Sequence, residues 1–175
     1  MQHEDDKASQ GHYGRFMAMI GTSTAIMFGL MYLNTYELGH VFWSETRFWM
    51  TFVMGAVMAV IMLLFMWGMY RNQTKNWIIL GVAALVFGAA LFLVRSQTTI
   101  NDSEWMSAMI PHHSIAILTS ERADIDDRRV RELADEIIEA QRREIAEMEW
   151  LIADIKANGE ATNAGEAAAR PVPEF

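Results

Sequence analysis

The sequence predicts an all-α membrane protein, with three transmembrane helices followed by a helical hairpin outside the bilayer. Three observations predict it. Three apolar runs, at about residues 16–33, 48–70 and 77–94, approach or exceed the roughly 20 residues needed to cross a bilayer. Charge is segregated: residues 1–100 hold six Lys/Arg against five Asp/Glu, and residues 101–175 hold eight against seventeen. After Arg95, apolar residues recur at helical spacing instead of in a continuous run. The expected organisation is a tail (1–15), a transmembrane domain (16–96), a hairpin outside the membrane (97–156) and a disordered tail (157–175).

The first run follows a polar tail, and its length and lack of a small-residue cleavage site argue against a removable signal peptide. Tyr32, Tyr36, Trp43, Trp49, Trp67, Tyr70 and Trp77 cluster near the ends of the runs, as interfacial anchors do. Gly21, Ala25 and Gly29 in the first run, Gly55 and Ala59 in the second, and Ala84 and Gly88 in the third follow the small-xxx-small spacing that lets helices approach closely in lipid. Lys7, Arg15, Arg71 and Lys75 fall on one side of three crossings, and Arg47 and Arg95 on the other. The positive-inside rule then places the N-terminus in the cytoplasm and the hairpin outside, in the periplasm or exterior of a bacterium whose inner membrane holds the protein.

In the hairpin, Asn101 with Glu104 three residues on reads as a helix-capping pair. Trp105, Met106, Met109, Ile110, His113 and Ile117 follow at helical spacing, with a kink or break expected at Pro111. After a break at Ala123–Asp127, a second helix is expected to about Lys156. Its apolar positions are Val130, Leu133, Ile137, Ile145, Met148, Leu151 and Ile155, and its other face is a solvated run of Glu and Arg. Two such helices bury too little surface to stand alone. A second copy would complete a four-helix bundle, making a homo-oligomer.

The chain has fourteen Met, five His and no Cys. Without Cys, disulfides and thiolate metal sites are excluded. The acidic balance gives no electrostatic reason to bind nucleic acid, and no nucleophile–base pair or phosphate loop marks an enzyme. Met106, Met109 and His113 lie at i, i+3 and i+7, one stripe of a helix. His112 and His113 point about 100° apart on a regular helix, so one is the candidate ligand and the other a supporting or inter-subunit group. Met148, on the second helix, is placed to close the set. Thioether with imidazole suits a soft monovalent ion, Cu(I) or Ag(I). Zinc, which prefers Cys, His or carboxylate, fits less well. The competing reading makes these residues ordinary core, since Met commonly fills apolar gaps.

The segment Asp102–Ile155 resembles the domain of unknown function 305 family. The residues that carry the likeness are Asp102, Trp105, Met106, "MIPHH" (Met109–His113), Ala116 and Ile117, then Leu133, Ala134, Ile137, Ile138, Ala140, Gln141, Glu144, Ile145 and Met148. The membrane half, with "MYLNTY", "SETR" and a Met-rich second run, resembles a three-span branch of that family. The resemblance implies a ferritin-like helical fold and copper or silver handling in bacteria, with Met106, Met109, His112, His113 and Met148 as ligands. Relatives often carry a further Met after the His pair, where this chain reads "AILTS" with Thr119 and Ser120, so one soft ligand is missing.

Met50, Met54, Met58, Met62 and Met66 recur every fourth residue in the second run. Each step rotates about 40°, so the ladder winds around the helix instead of lining one side. It follows an i±4 packing ridge. A second reading makes it a path for a soft ion arriving at the outer loop, near His40. Three functions follow: a soft-metal buffer or a relay to efflux partners, a metal-free oligomerisation module, or a small Met-lined transporter.

Overall fold

The computed structural model describes residues 2–175, and their side chains from residue 12 on. Its ordered elements are helical: α1 Gln2–Leu30, a 3₁₀ turn Leu38–His40, α2 Glu45–Phe65, α3 Gln73–Ser96, α4 Asp102–Arg122, α5 Arg128–Asn158 and α6 Ala164–Ala169. The described residues form two compact units, residues 2–31 with 46–99, and residues 32–45 with 100–175.

The first unit packs α1 against α2. Tyr13 and Phe16 meet Tyr70, with ring centroids 5.0 and 5.3 Å apart. Phe28 meets Phe48 at 6.3 Å. The two helices therefore run antiparallel along each other. Between these ends a Cβ added at Gly55 would lie 2.7 Å from Thr24 Oγ1, so glycine is needed there for the close approach. Gly21, Gly29 and Gly88 have nothing within 4 Å of an added Cβ, so this part of the expected small-residue ladder makes no contact within the described chain. Asn76 is fully buried. Its Oδ1 accepts from the Tyr13 hydroxyl at 2.6 Å and its Nδ2 donates to the Tyr70 carbonyl at 2.7 Å, which satisfies the buried amide.

Two helices among the described residues, not three, are long and apolar enough to cross a membrane: α2 and α3. Only 22% of the apolar window of α2 and 11% of that of α3 is buried. Both therefore present most of their apolar surface outward. The expected first span falls short because α1 ends at Leu30, which leaves Met31 and Leu33 in a turn, and because Gly21–Thr24 dilute its apolar run.

In the second unit α4 and α5 form the expected hairpin. The capping box of Asn101 and Glu104 is present, and Asp127 caps α5. Pro111 does not break α4. The helix continues through it, with Pro111 buried, although proline cannot donate to the Ser107 carbonyl. Two expectations need correction. The loop 32–45 belongs with the hairpin and not with the transmembrane unit: Tyr36 and Phe42 pack on the hairpin core. The expected disordered tail contains α6, capped by Asn163, and Arg170 holds it to Asp154 of α5. At the start of α5, Val130 and Leu133 are 48% and 55% exposed, so the apolar stripe read from the sequence is not all core.

Candidate soft-metal site

Methionines of both hairpin helices meet in one buried cluster. Met106 and Met148 are 5% and 6% exposed and pack with Ile110, Ile117 and Ile145, and Met109 packs against this group. The register follows from His113, whose Nδ1 lies 3.1 Å from a Glu144 carboxylate oxygen. In an antiparallel pair, moving back four residues on α4 moves forward about four on α5, one turn on each. Met109 is thus level with Met148, and Met106 lies one turn further out.

The structure separates the two histidines. Their ring centroids are 6.0 Å apart and tilted by 58°. His112 is exposed, whereas the His113 side chain is 14% exposed. The buried His113 Nδ1 has no hydrogen bond, since Glu144 is within ion-pair range but off hydrogen-bond geometry. Burial pushes the His113 pKa below the ordinary imidazole value, against the opposing pull of Glu144 and with a small contribution from His112. By helical register His113 lies one turn from Met109, at the edge of the thioether cluster. Among the described residues no three His, Cys, Asp or Glu side chains gather into a group that could hold a metal ion.

The sequence reading missed Ser114. It is fully buried, and its Oγ accepts from the Tyr36 N–H at 2.7 Å and lies 2.9 Å from His40 Nδ1. Tyr36 also reaches the hairpin through its hydroxyl, whose pKa is raised first by a hydrogen bond to Glu121. The signal for Ser114 was a small polar residue four positions after Ile110, on the core stripe. His40 is therefore held in the hairpin unit. In the other unit Met58, Met62 and Met66 pack against the Phe16–Leu63–Tyr70 core. Met54, Met58 and Met62 also line a shallow apolar groove of about 370 Å³ on α2, and Met50 is 38% exposed.

The fold and site define a helical hairpin with a thioether-rich core, carried on apolar helices of membrane-spanning length. Residues 93–171 match the family described as a domain of unknown function (DUF305), which supports the family suggested by the sequence. An uncharacterized protein of Acanthamoeba polyphaga mimivirus is 28% identical over 142 residues, covering 80% of this chain and 91% of the viral protein. No solved structure matches the chain.

Proposed function

We propose that the protein is a membrane-anchored binder of Cu(I) or Ag(I), acting in metal buffering or tolerance on the outer face of a bacterial inner membrane. The observation that carries this reading is the buried Met106 and Met148 with the partly buried Met109 packed against them, one helical turn from a buried His113 nitrogen without a hydrogen bond. Helical rise separates the Met106 and His113 backbones by about 10 Å, so one ion cannot readily take both. The centre is assigned to Met109 and Met148, with His113 on one flank and Met106 on the other. His112, being exposed, is free to meet a second copy or an efflux partner.

In this reading α1 crosses the bilayer beside α2. It is less apolar, but it packs along α2 from Tyr13–Tyr70 to Phe28–Phe48, a span that matches most of α2. The partly exposed Val130 and Leu133 give α5 an apolar edge on which a second hairpin can complete a four-helix bundle.

The test is Cu(I) titration of the full-length protein in detergent, under reducing conditions with a competing chelator. Stoichiometric binding is expected in the wild type and its loss in Met109→Leu/Met148→Leu. Equal binding by the double variant would sink the assignment, and preferential retention of zinc would replace the soft-metal reading.

A further inference from the structure

We infer that residues 159–172 form a strap that closes the Met106 end of the hairpin, and that the space beneath it is the entrance through which a soft cation reaches the thioethers. This rests on the soft-metal reading for the identity of the cation, but not for the strap itself.

The chain reverses after α5 at Gly159, whose φ of +79° favours glycine. It then runs back over the hairpin. Between hairpin and strap lies a cavity of about 560 Å³, with Met106, Leu151 and Ile155 on one side and Thr162, Ala167 and Val172 on the other. Met106 thus borders both the buried cluster and a space large enough for a hydrated ion. Met109 and Met148 do not border that space. The strap is organised and clamped. The Asn163 side chain accepts from Glu166 N–H at 3.0 Å, and Glu166 accepts from Thr162 N–H at 2.9 Å. Arg170 donates from one guanidinium nitrogen to Asp154 of α5 at 2.5 Å and from another to the Gly159 carbonyl at 3.1 Å. One side chain therefore ties the end of the strap to both the helix and the hinge. Asp102 and Glu160 also border the cavity and favour entry of a cation. A larger cavity elsewhere, lined by Arg131, Arg142 and Arg143, offers no comparable site, since each of those arginines is paired with a carboxylate.

The test reads Met106 directly and needs no metal. Full-length protein in detergent is treated with dilute hydrogen peroxide, and methionine sulfoxide is quantified at each position by peptide mass spectrometry. Arg170→Gln is expected to speed Met106 oxidation about fivefold, the scale of one partly exposed ion pair, and to leave Met148 unchanged. The charge-swapped pair Asp154→Arg/Arg170→Asp is expected to return Met106 towards the wild-type rate. Equal Met106 rates in wild type and Arg170→Gln would overturn the strap, as would parallel acceleration at Met106 and Met148, which marks general loosening of the hairpin. Ag(I) uptake is followed in the same samples. Faster uptake by Arg170→Gln supports the entrance. Faster Met106 oxidation with no Ag(I) bound by either protein keeps the strap and rejects the soft-metal reading.

Discussion

At the scale of single residues, the hairpin core ranks the proposed ligands by their place in it. Met109 and Met148 are level with each other, while Met106 and His113 flank them a turn away on either side. Replacing either central thioether with Leu keeps volume and apolarity, so the fold should survive at a cost below about 1.5 kcal/mol. Cu(I) affinity should fall more in these variants than in Met106→Leu, as measured by chelator competition. His113 makes a second prediction. Its pKa is lowered in the folded protein, chiefly by burial. Below about pH 6.5 the unfolded chain binds this proton more readily than the folded one. Stability is therefore fully present above that value, declines as pH falls towards the folded pKa, and is flat below it. Thermal unfolding followed by circular dichroism should show this decline in the wild type and a shallower one in His113→Gln. Met106, Met109 and His113 could be read together from the sequence because they fall on one stripe of α4, whereas Met148 comes from α5. What spacing could not decide was which of His112 and His113 faces inward, because that depends on how α5 is set against α4.

At the scale of elements, the hairpin was legible because each of its boundaries has a local chemical cause: the Asn101–Glu104 box, the Asp127 cap and the polar break between the helices. The docked loop and the strap were not legible, since they are held by distant partners, Ser114 for Tyr36 and Asp154 for Arg170. Composition alone made both look like linker. Among the small residues of the membrane unit, only long-range packing separates Gly55 from Gly21 and Gly88. Thr24 Oγ1 and Cγ2 lie 2.7 and 3.3 Å from a Cβ added at Gly55. Thr24 is β-branched and stiff in a helix, so rotating its side chain offers little relief. Gly55→Ala should lower the melting temperature of the detergent-solubilised protein, and Gly88→Ala should not. Thr24→Ala should rescue Gly55→Ala. Thr24→Val alone should be close to neutral, since the Thr24 hydroxyl is buried without a hydrogen bond. Equal melting temperatures for the two glycine variants would remove the α1–α2 contact from the account of stability.

At the scale of the whole molecule, the number of helices that cross a bilayer decides on which side the hairpin lies. The weakly buried apolar faces of α2 and α3 would be costly in water and are compatible with lipid. If only these two cross, the N-terminal tail and the hairpin share a side. If α1 crosses with them, the tail shares a side with the connection between α2 and α3, and the hairpin lies opposite. The second arrangement is favoured by Lys7, Arg15, Arg71 and Lys75, which it gathers on one side. It is also favoured by the antiparallel run of α1 along α2. The chain has no cysteine, so single cysteines can be introduced without a background. Gln10→Cys, Thr74→Cys and Asn158→Cys, expressed in a bacterium, would be treated in intact cells with a membrane-impermeant maleimide, with lysed cells as the reference. Three crossings predict labelling of Asn158→Cys alone in intact cells. Labelling of Gln10→Cys together with Asn158→Cys would show two crossings, with α1 on the outer side. The loop 32–45 and the hairpin lie on one side in either case, because an even pair of crossings separates them. Their packing into one unit fits both arrangements, so the label on the tail is the one that separates them.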